Sequence, residues 1–263
     1  MLGRPLSAQK ARMRAIIDSF HGPLAGSSKQ ATMSLSIASR AVGDITVLTC
    51  TGRIVEGDES TALESQVKKL LPAQSYIVLD LGGVATVDSC GLGLLLRLRT
   101  IARMAAGDLK VCGANHRVRE VLRVTKLDKV LPPYDSELEA VKAFYTSGEV
   151  DDPWTPLDVD VLCVHSSLDV LAYARELLKQ AGYGVVTATN ISDARVLLRA
   201  TTPAALVIDA DSRARLAALT GEDPGARLTV IPWPADFSTE DPGDAAHHLL
   251  AEVTRVLDDP SRD

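Results

Sequence analysis

Apolar runs of strand length alternate with apolar stripes at helical spacing along two separate stretches of this chain, and this restricts both to the α/β class. In residues 34–147, Ile45 to Thr51 is a β-rich run that ends at Gly52. Asp58 to Leu71 carries Leu63, Val67, Leu70 and Leu71 on one helical stripe, with Thr61 and Glu64 in capping-box spacing near its start. Tyr76 to Leu81 reads as a covered strand, followed by a loop with Gly82 and Gly83. Gly91 to Ala106 is a strong helix whose core stripe is Leu94, Leu95, Leu98, Ile101 and Ala105. Leu109 to Cys112 is a strand, Val118 to Thr125 a helix, Val130-Leu131 a short strand and Ser136 to Phe144 a closing helix. A sheet flanked by helices follows.

The second stretch, residues 158–257, repeats the rhythm with strands at Val159 to Val164, Gly184 to Thr189, Ala205 to Ile208 and Leu228 to Ile231. Helices are expected at Leu168 to Ala181, Ser192 to Ala200, around Arg213 to Leu219, and from Asp244 to Leu257. Such regular βαβ alternation implies a parallel sheet. Between the stretches, Gly148 to Pro156 supplies two prolines, three acids and no apolar periodicity, which is linker chemistry. The expected organisation is an extension over 1–32, a domain over 33–147, a linker at 148–157, a second domain over 158–258 and a tail at 259–263. Met13, Ile16, Ile17 and Phe20 have helical spacing within the extension, and Met33 offers an alternative translation start.

Charge is unevenly spread: residues 1–32 sum to +4, residues 33–150 to zero, and residues 151–263 to −10. An acidic C-terminal half argues against a nucleic-acid partner. No run of 18 apolar residues is present, so no membrane-spanning helix is expected, and the first twenty residues lack a secretory pattern. Cys50, Cys112 and Cys163 each lie in an apolar run and read as buried strand thiols. No cysteine or histidine spacing fits a metal; His247-His248 are adjacent, not four apart. A cytoplasmic protein without cofactor or metal is expected.

Val87-Asp88-Ser89-Cys90-Gly91-Leu92-Gly93 is the segment that bears on function. Ser89 sits where the Gly91 helix opens, and serine is a favoured N-cap. Gly91 and Gly93 each cost about 1 kcal/mol of helix propensity against alanine. A chain accepts that where something must approach the backbone, or where helix and sheet pack tightly. A helix N-terminus with a hydroxyl and unpaired amides also suits a phosphate. Chemistry alone leaves two readings open, a plain capped core helix and a phosphate-bearing site. On the same helix Leu92, Leu96, Arg99 and Arg103 form a second stripe, either a docking face or simply solvated.

Asp88-Ser89-Cys90-Gly91-Leu92-Gly93 resembles the Asp-Ser-Ser/Thr-Gly-Leu-Gly motif of STAS domains, shared by bacterial anti-sigma factor antagonists and sulfate-transporter tails. The resemblance extends over 34–147, through Thr51-Gly52, Ile77-Val78-Leu79-Asp80-Leu81 and Val118-Arg119-Glu120-Val121-Leu122. It implies that Ser89 is the phosphorylated serine, with Asp88, Cys90, Gly91 and Gly93 shaping its surroundings. It further implies that the unphosphorylated protein binds an anti-sigma factor that is also a serine kinase of the GHKL type, that phosphorylation breaks the complex, and that a phosphatase restores it. Two departures stand out: Cys90 replaces the family's second hydroxyl, and Gly52-Arg53-Ile54-Val55 lacks the acidic residue that follows Gly-x-Leu in well-known antagonists.

The second stretch resembles a truncated, doubly wound response-regulator receiver, with Asp209 after Ala205-Leu206-Val207-Ile208 in the phosphoacceptor's place. His165, Ser166 and Ser167 stand where the family has its magnesium-binding acids, and no lysine follows Lys179. A protein-interaction domain without a working acceptor is therefore expected. Hydrolytic use of Ser89 has no support: His116 is the one histidine in 33–147, and no Gly-x-Ser-x-Gly elbow is present. Three functions remain: a partner-switching antagonist controlled at Ser89, a STAS-based scaffold or ligand-sensing module without a phosphoswitch, and a two-component output signalling from Asp209.

Overall fold

A computed structural model describes residues 34–71, 76–146, 159–226, 228–234, 237 and 243–258. The extension, the 148–157 linker and the 259–263 tail expected from the sequence lie outside the described residues. The chain divides into two compact units, one of residues up to Ser39 with Val47–Asp135, the other of Arg40–Thr46 with Ser136–Asp263.

In the first sheet the strands lie in the order β1 (Ser36–Val42), β2 (Ile45–Ile54), β3 (Tyr76–Val87), β4 (Asp108–Cys112) and β5 (Pro133–Tyr134). β3 and β4 run parallel, from Tyr76 opposite Asp108 to Asp80 opposite Cys112, and β5 adds parallel to β4 at Val111 and Cys112. Helices α1 (Asp58–Leu70), α2 (Ser89–Met104) and α3 (His116–Val124) pack with the sheet in one apolar core that contains Leu48, Ile54, Leu63, Leu79, Leu95, Leu98 and Leu122. The helix-flanked α/β sheet expected here is what forms, and the sheet is mixed.

Four local expectations are corrected. β3 continues six residues beyond Leu81, because Gly82 and Gly83 stay in the strand. Asp80 Oδ1 accepts from the Gly82 amide at 2.9 Å, and a Cβ at Gly83 would lie 2.6 Å from Thr51 Oγ1 and 2.8 Å from Cys50 O, so glycine lets the neighbouring strand close in. Val130-Leu131 is a turn tied back to Leu127 O, and the last strand forms at Pro133–Tyr134, where an edge position tolerates proline. The Thr61/Glu64 capping box does not form. Gly57 caps α1 without a side-chain bond, Thr61 Oγ1 donates to Gly57 O, and Glu64 is taken by Lys68 and Arg97. Finally, Ala105 lies exposed beyond the end of α2, and Ala102 takes its expected place in the core.

Unit two contains α4 (Glu137–Tyr145) and a four-stranded sheet in the order β7 (Val185–Ala188), β6 (Val161–Val164), β8 (Ala205–Val207), β9 (Thr229–Ile231), parallel throughout. Its helices pair by packing, α5 (Leu168–Gln180) with α8 (Gly243–Leu257), and α6 (Ile191–Ala200) with α7 (Ala210–Thr220). Ser167, Asn190 and Asp209 cap α5, α6 and α7 with side-chain acceptors. Within this unit Arg40 pairs with Asp193 and Glu137, and Asp44 with Arg175.

Candidate functional site at the start of helix α2

Asp88 is the residue that caps α2. Its backbone is extended (φ −90°, ψ −176°), and its Oδ1 accepts from the Gly91 amide at 2.7 Å. The sequence allowed Ser89 as the cap; Ser89 is instead the first helical residue and is exposed, as is Cys90. A carboxylate at the cap leaves its second oxygen available, and Asp88 Oδ2 accepts from the Glu56 amide at 3.0 Å. The Asp88 amide in turn donates to Ile54 O at 3.3 Å. One residue therefore ties the exit of β2 to the entrance of α2.

Close approach explains Gly91. A Cβ there would lie 2.3 Å from Ile54 O and 2.9 Å from Val87 Cγ1, so only glycine lets the helix sit this near β2. Gly93 is different: it is exposed, and a Cβ would meet nothing within 4 Å. Tight packing thus accounts for the first glycine of the motif and not for the second.

The stripe read as either a docking face or a solvated face divides, and this corrects both readings. Leu92 is buried in the core and Leu96 packs partly against it. Arg99 forms a two-pronged pair with Asp108, Nε to Oδ1 at 2.8 Å and Nη2 to Oδ2 at 3.1 Å, with the Asp108 side chain only 3% exposed. Arg103 alone of the four is exposed, at the far end of the helix. The buried arc is wider than the periodicity indicated because α1 lies alongside α2. The face open beside Ser89 consists of Cys90, Gly93, Arg97 and Thr100, with Arg97 paired to Glu64 of α1 at 2.5 Å. Sequence reasoning missed Glu56 altogether. Its contribution is a backbone amide 32 residues from Asp88, which leaves no pattern to read.

Buried thiols behave as their runs indicate. Burial first, then the charge of Asp80, pushes the Cys50 thiol up to about 12, and burial alone pushes Cys163 up to about 12. Cys112 is buried as well, whereas Cys90 is exposed.

Residues 36–140 match the family model described as the STAS domain. These residues are a STAS domain. The chain is 35% identical over 66 residues to the anti-sigma F factor antagonist of Paenibacillus polymyxa, which covers 25% of this chain and 56% of that protein. It is 27% identical over 102 residues to BtrV of Bordetella bronchiseptica, provisionally named an anti-sigma factor antagonist, covering 38% and 88%. Among solved structures, an anti-sigma factor antagonist from Mycobacterium paratuberculosis aligns with 42% of this chain and 93% of its own at 23% identity and a TM-score of 0.38. This chain thus spans little more than half of the Paenibacillus relative. In the STAS domain Asp88, Ser89, Cys90, Gly91 and Gly93 occupy the β3–α2 junction described above.

In the second unit Asp209 caps α7, its Oδ1 accepting from the Ser212 amide at 2.8 Å. Burial raises its pKa, but hydrogen bonds from the Ser212 amide and hydroxyl and from neighbouring amides outweigh that and leave it below the ordinary aspartate value. His165 Nδ1 accepts from the Ser167 amide at 3.0 Å, its ring lies edge-on to Trp233, and Trp233 Nε1 donates to Val164 O at 2.7 Å. Among the described residues no group of three or more His, Cys, Asp or Glu is placed to hold a metal ion. Nor is any described helix long and apolar enough to cross a membrane.

Proposed function

We propose that this protein is a partner-switching regulator of the anti-sigma factor antagonist type, controlled by phosphorylation of Ser89. The observation that carries the reading is an exposed serine in the first turn of α2, directly after a capping aspartate, within a STAS domain whose relatives are named as antagonists. Unphosphorylated protein binds an anti-sigma factor that is also a GHKL-type serine kinase; phosphorylation releases it, and a serine phosphatase resets the switch. The chain acts in the bacterial cytoplasm, as a substrate and not as an enzyme, and its partners are proteins, not nucleic acid or membrane.

Magnitudes place the effect on the partner. A phosphoserine brings about −1.5 to −2 charges and three acceptor oxygens. The helix dipole favours it by roughly 0.3–1 kcal/mol, and the adjacent Asp88 carboxylate opposes it by a similar exposed-pair amount. The domain keeps its fold, while a docked partner must desolvate the dianion. In the second unit Asp209 spends its carboxylate on the α7 amides, so we read that unit as a receiver-like interaction domain without a working acceptor.

Phosphopeptide mapping of protein purified from its native cells, with capture of kinase-type anti-sigma factors by native, Ser89→Ala and Ser89→Asp proteins, tests this. Phosphate on Ser89 and a partner lost only with Asp are expected. A Ser89→Asp protein that keeps its partner would overturn the switch and leave the scaffold reading.

A further inference from the structure

We infer that Asp88 is a positioning residue that transmits the phosphorylation state of Ser89 to the loop between β2 and α1, through the Glu56 amide. This rests on the reading of Ser89 as the modified serine and adds a second surface to it. The Asp88 carboxylate is shared between two elements, Oδ1 with the Gly91 amide at 2.7 Å and Oδ2 with the Glu56 amide at 3.0 Å. Gly91 N belongs to the first turn of α2, whose amides lack intrahelical partners. A phosphoryl group on Ser89 stands one residue from Asp88 and seeks those same amides.

Two forces then act on the bridge in the same direction. The phosphate competes with Oδ1 for Gly91 N–H, and its charge repels the carboxylate as a whole. The longer bond, to Glu56, lies on an exposed loop that continues into Gly57 at φ +132°, and it is the one that opens. The loop and the first turn of α1 carry Glu56, Asp58 and Glu59, so a released loop is also pushed from the new dianion. The seating of Gly91 against Ile54 keeps the helix on the sheet, so the fold is unchanged. A partner docked over Ser89 and residues 55–58 would meet both a new charge and a displaced loop.

The test is hydrogen exchange on the full chain with phosphoserine installed at position 89 during translation, which bypasses any kinase. Exchange at the Glu56 amide should accelerate by about 3- to 10-fold, the scale of one net hydrogen bond, while the β2 amides before Ile54 stay unchanged. In Asp88→Ser the hydroxyl still caps Gly91 but cannot also reach Glu56. There the Glu56 amide should exchange fast already, and phosphoserine should add nothing. Asp88→Asn, with one acceptor oxygen, should behave alike if the serine variant folds poorly. Unaltered Glu56 exchange in the phosphorylated native chain overturns the inference even if Asp88 proves structurally important. Absence of phosphate on Ser89 in cells would instead overturn the switch and leave the exchange result standing.

Discussion

Replacing Gly91 by alanine puts a methyl group 2.3 Å from Ile54 O, 2.9 Å from Val87 Cγ1 and 3.0 Å from Ile54 Cγ2. The first of these is backbone at the end of β2, held there by the Asp88 amide, and cannot swing aside as a side chain would, so α2 must lift at its N-terminus. Overpacking of this kind costs about 1–3 kcal/mol. The bond from the Asp88 amide to Ile54 O, already 3.3 Å, is lost with it, for about 1 kcal/mol more. Alanine's helix propensity returns about 1 kcal/mol, which leaves a net destabilisation of about 1–3 kcal/mol. Gly93→Ala has open space around the new methyl and keeps only the propensity gain, so it should stabilise by up to about 1 kcal/mol. The two variants should therefore differ by about 2–4 kcal/mol although the chemical change is identical. Trp233 lies in the second unit, so its fluorescence does not report on this one. Hydrogen exchange of the β3 and α2 amides gives the local opening free energy instead. Equal effects at the two positions, or a stabilised Gly91→Ala, would refute the argument that Gly91 exists for its contact with Ile54.

Further outcomes follow from other contacts. Arg99→Ala removes both guanidinium bonds from the Asp108 carboxylate, 3% exposed, leaving it the Leu109 amide and Lys110 at 3.9 Å, and should destabilise the first unit by about 3 kcal/mol, whereas the paired change Arg99→Met with Asp108→Leu should come near to native in urea unfolding followed by circular dichroism. Cys50 and Cys163 are held neutral to about pH 12 against an ordinary value of 9.0, so the stability they contribute is complete below pH 9 and is lost as pH rises from there towards 12. Cys50→Val should flatten the alkaline decline measured between those limits. At pH 8 a chromogenic disulfide reagent should label Cys90 rapidly and leave the buried Cys50, Cys112 and Cys163 untouched until the chain unfolds. Asp209→Ala should cost the second unit about 1 kcal/mol through loss of the α7 cap, with no change in labelling by acetyl phosphate; labelling that vanished with the variant would restore Asp209 as an acceptor.

Much of the architecture was legible from the chain because its signals are local. Strand runs, helical stripes and caps are written within a few residues of one another, and they placed α2, β4, α3 and every strand of the second sheet to within about two residues. They also placed Ser89 at a helix start in a motif of STAS type. What the sequence could not contain were the decisions made between segments distant along the chain. That the Asp88 cap is also tied to the residue after Val55 depends on an amide supplied by Glu56, and the need for Gly91 depends on the carbonyl of Ile54. Leu92 and Arg99 left the expected docking stripe because α1 and Asp108 were there to receive them. Periodicity reports which face of an element is apolar; only the packed fold determines which neighbour fills that face, and so which side chains beside Ser89 remain open to a partner.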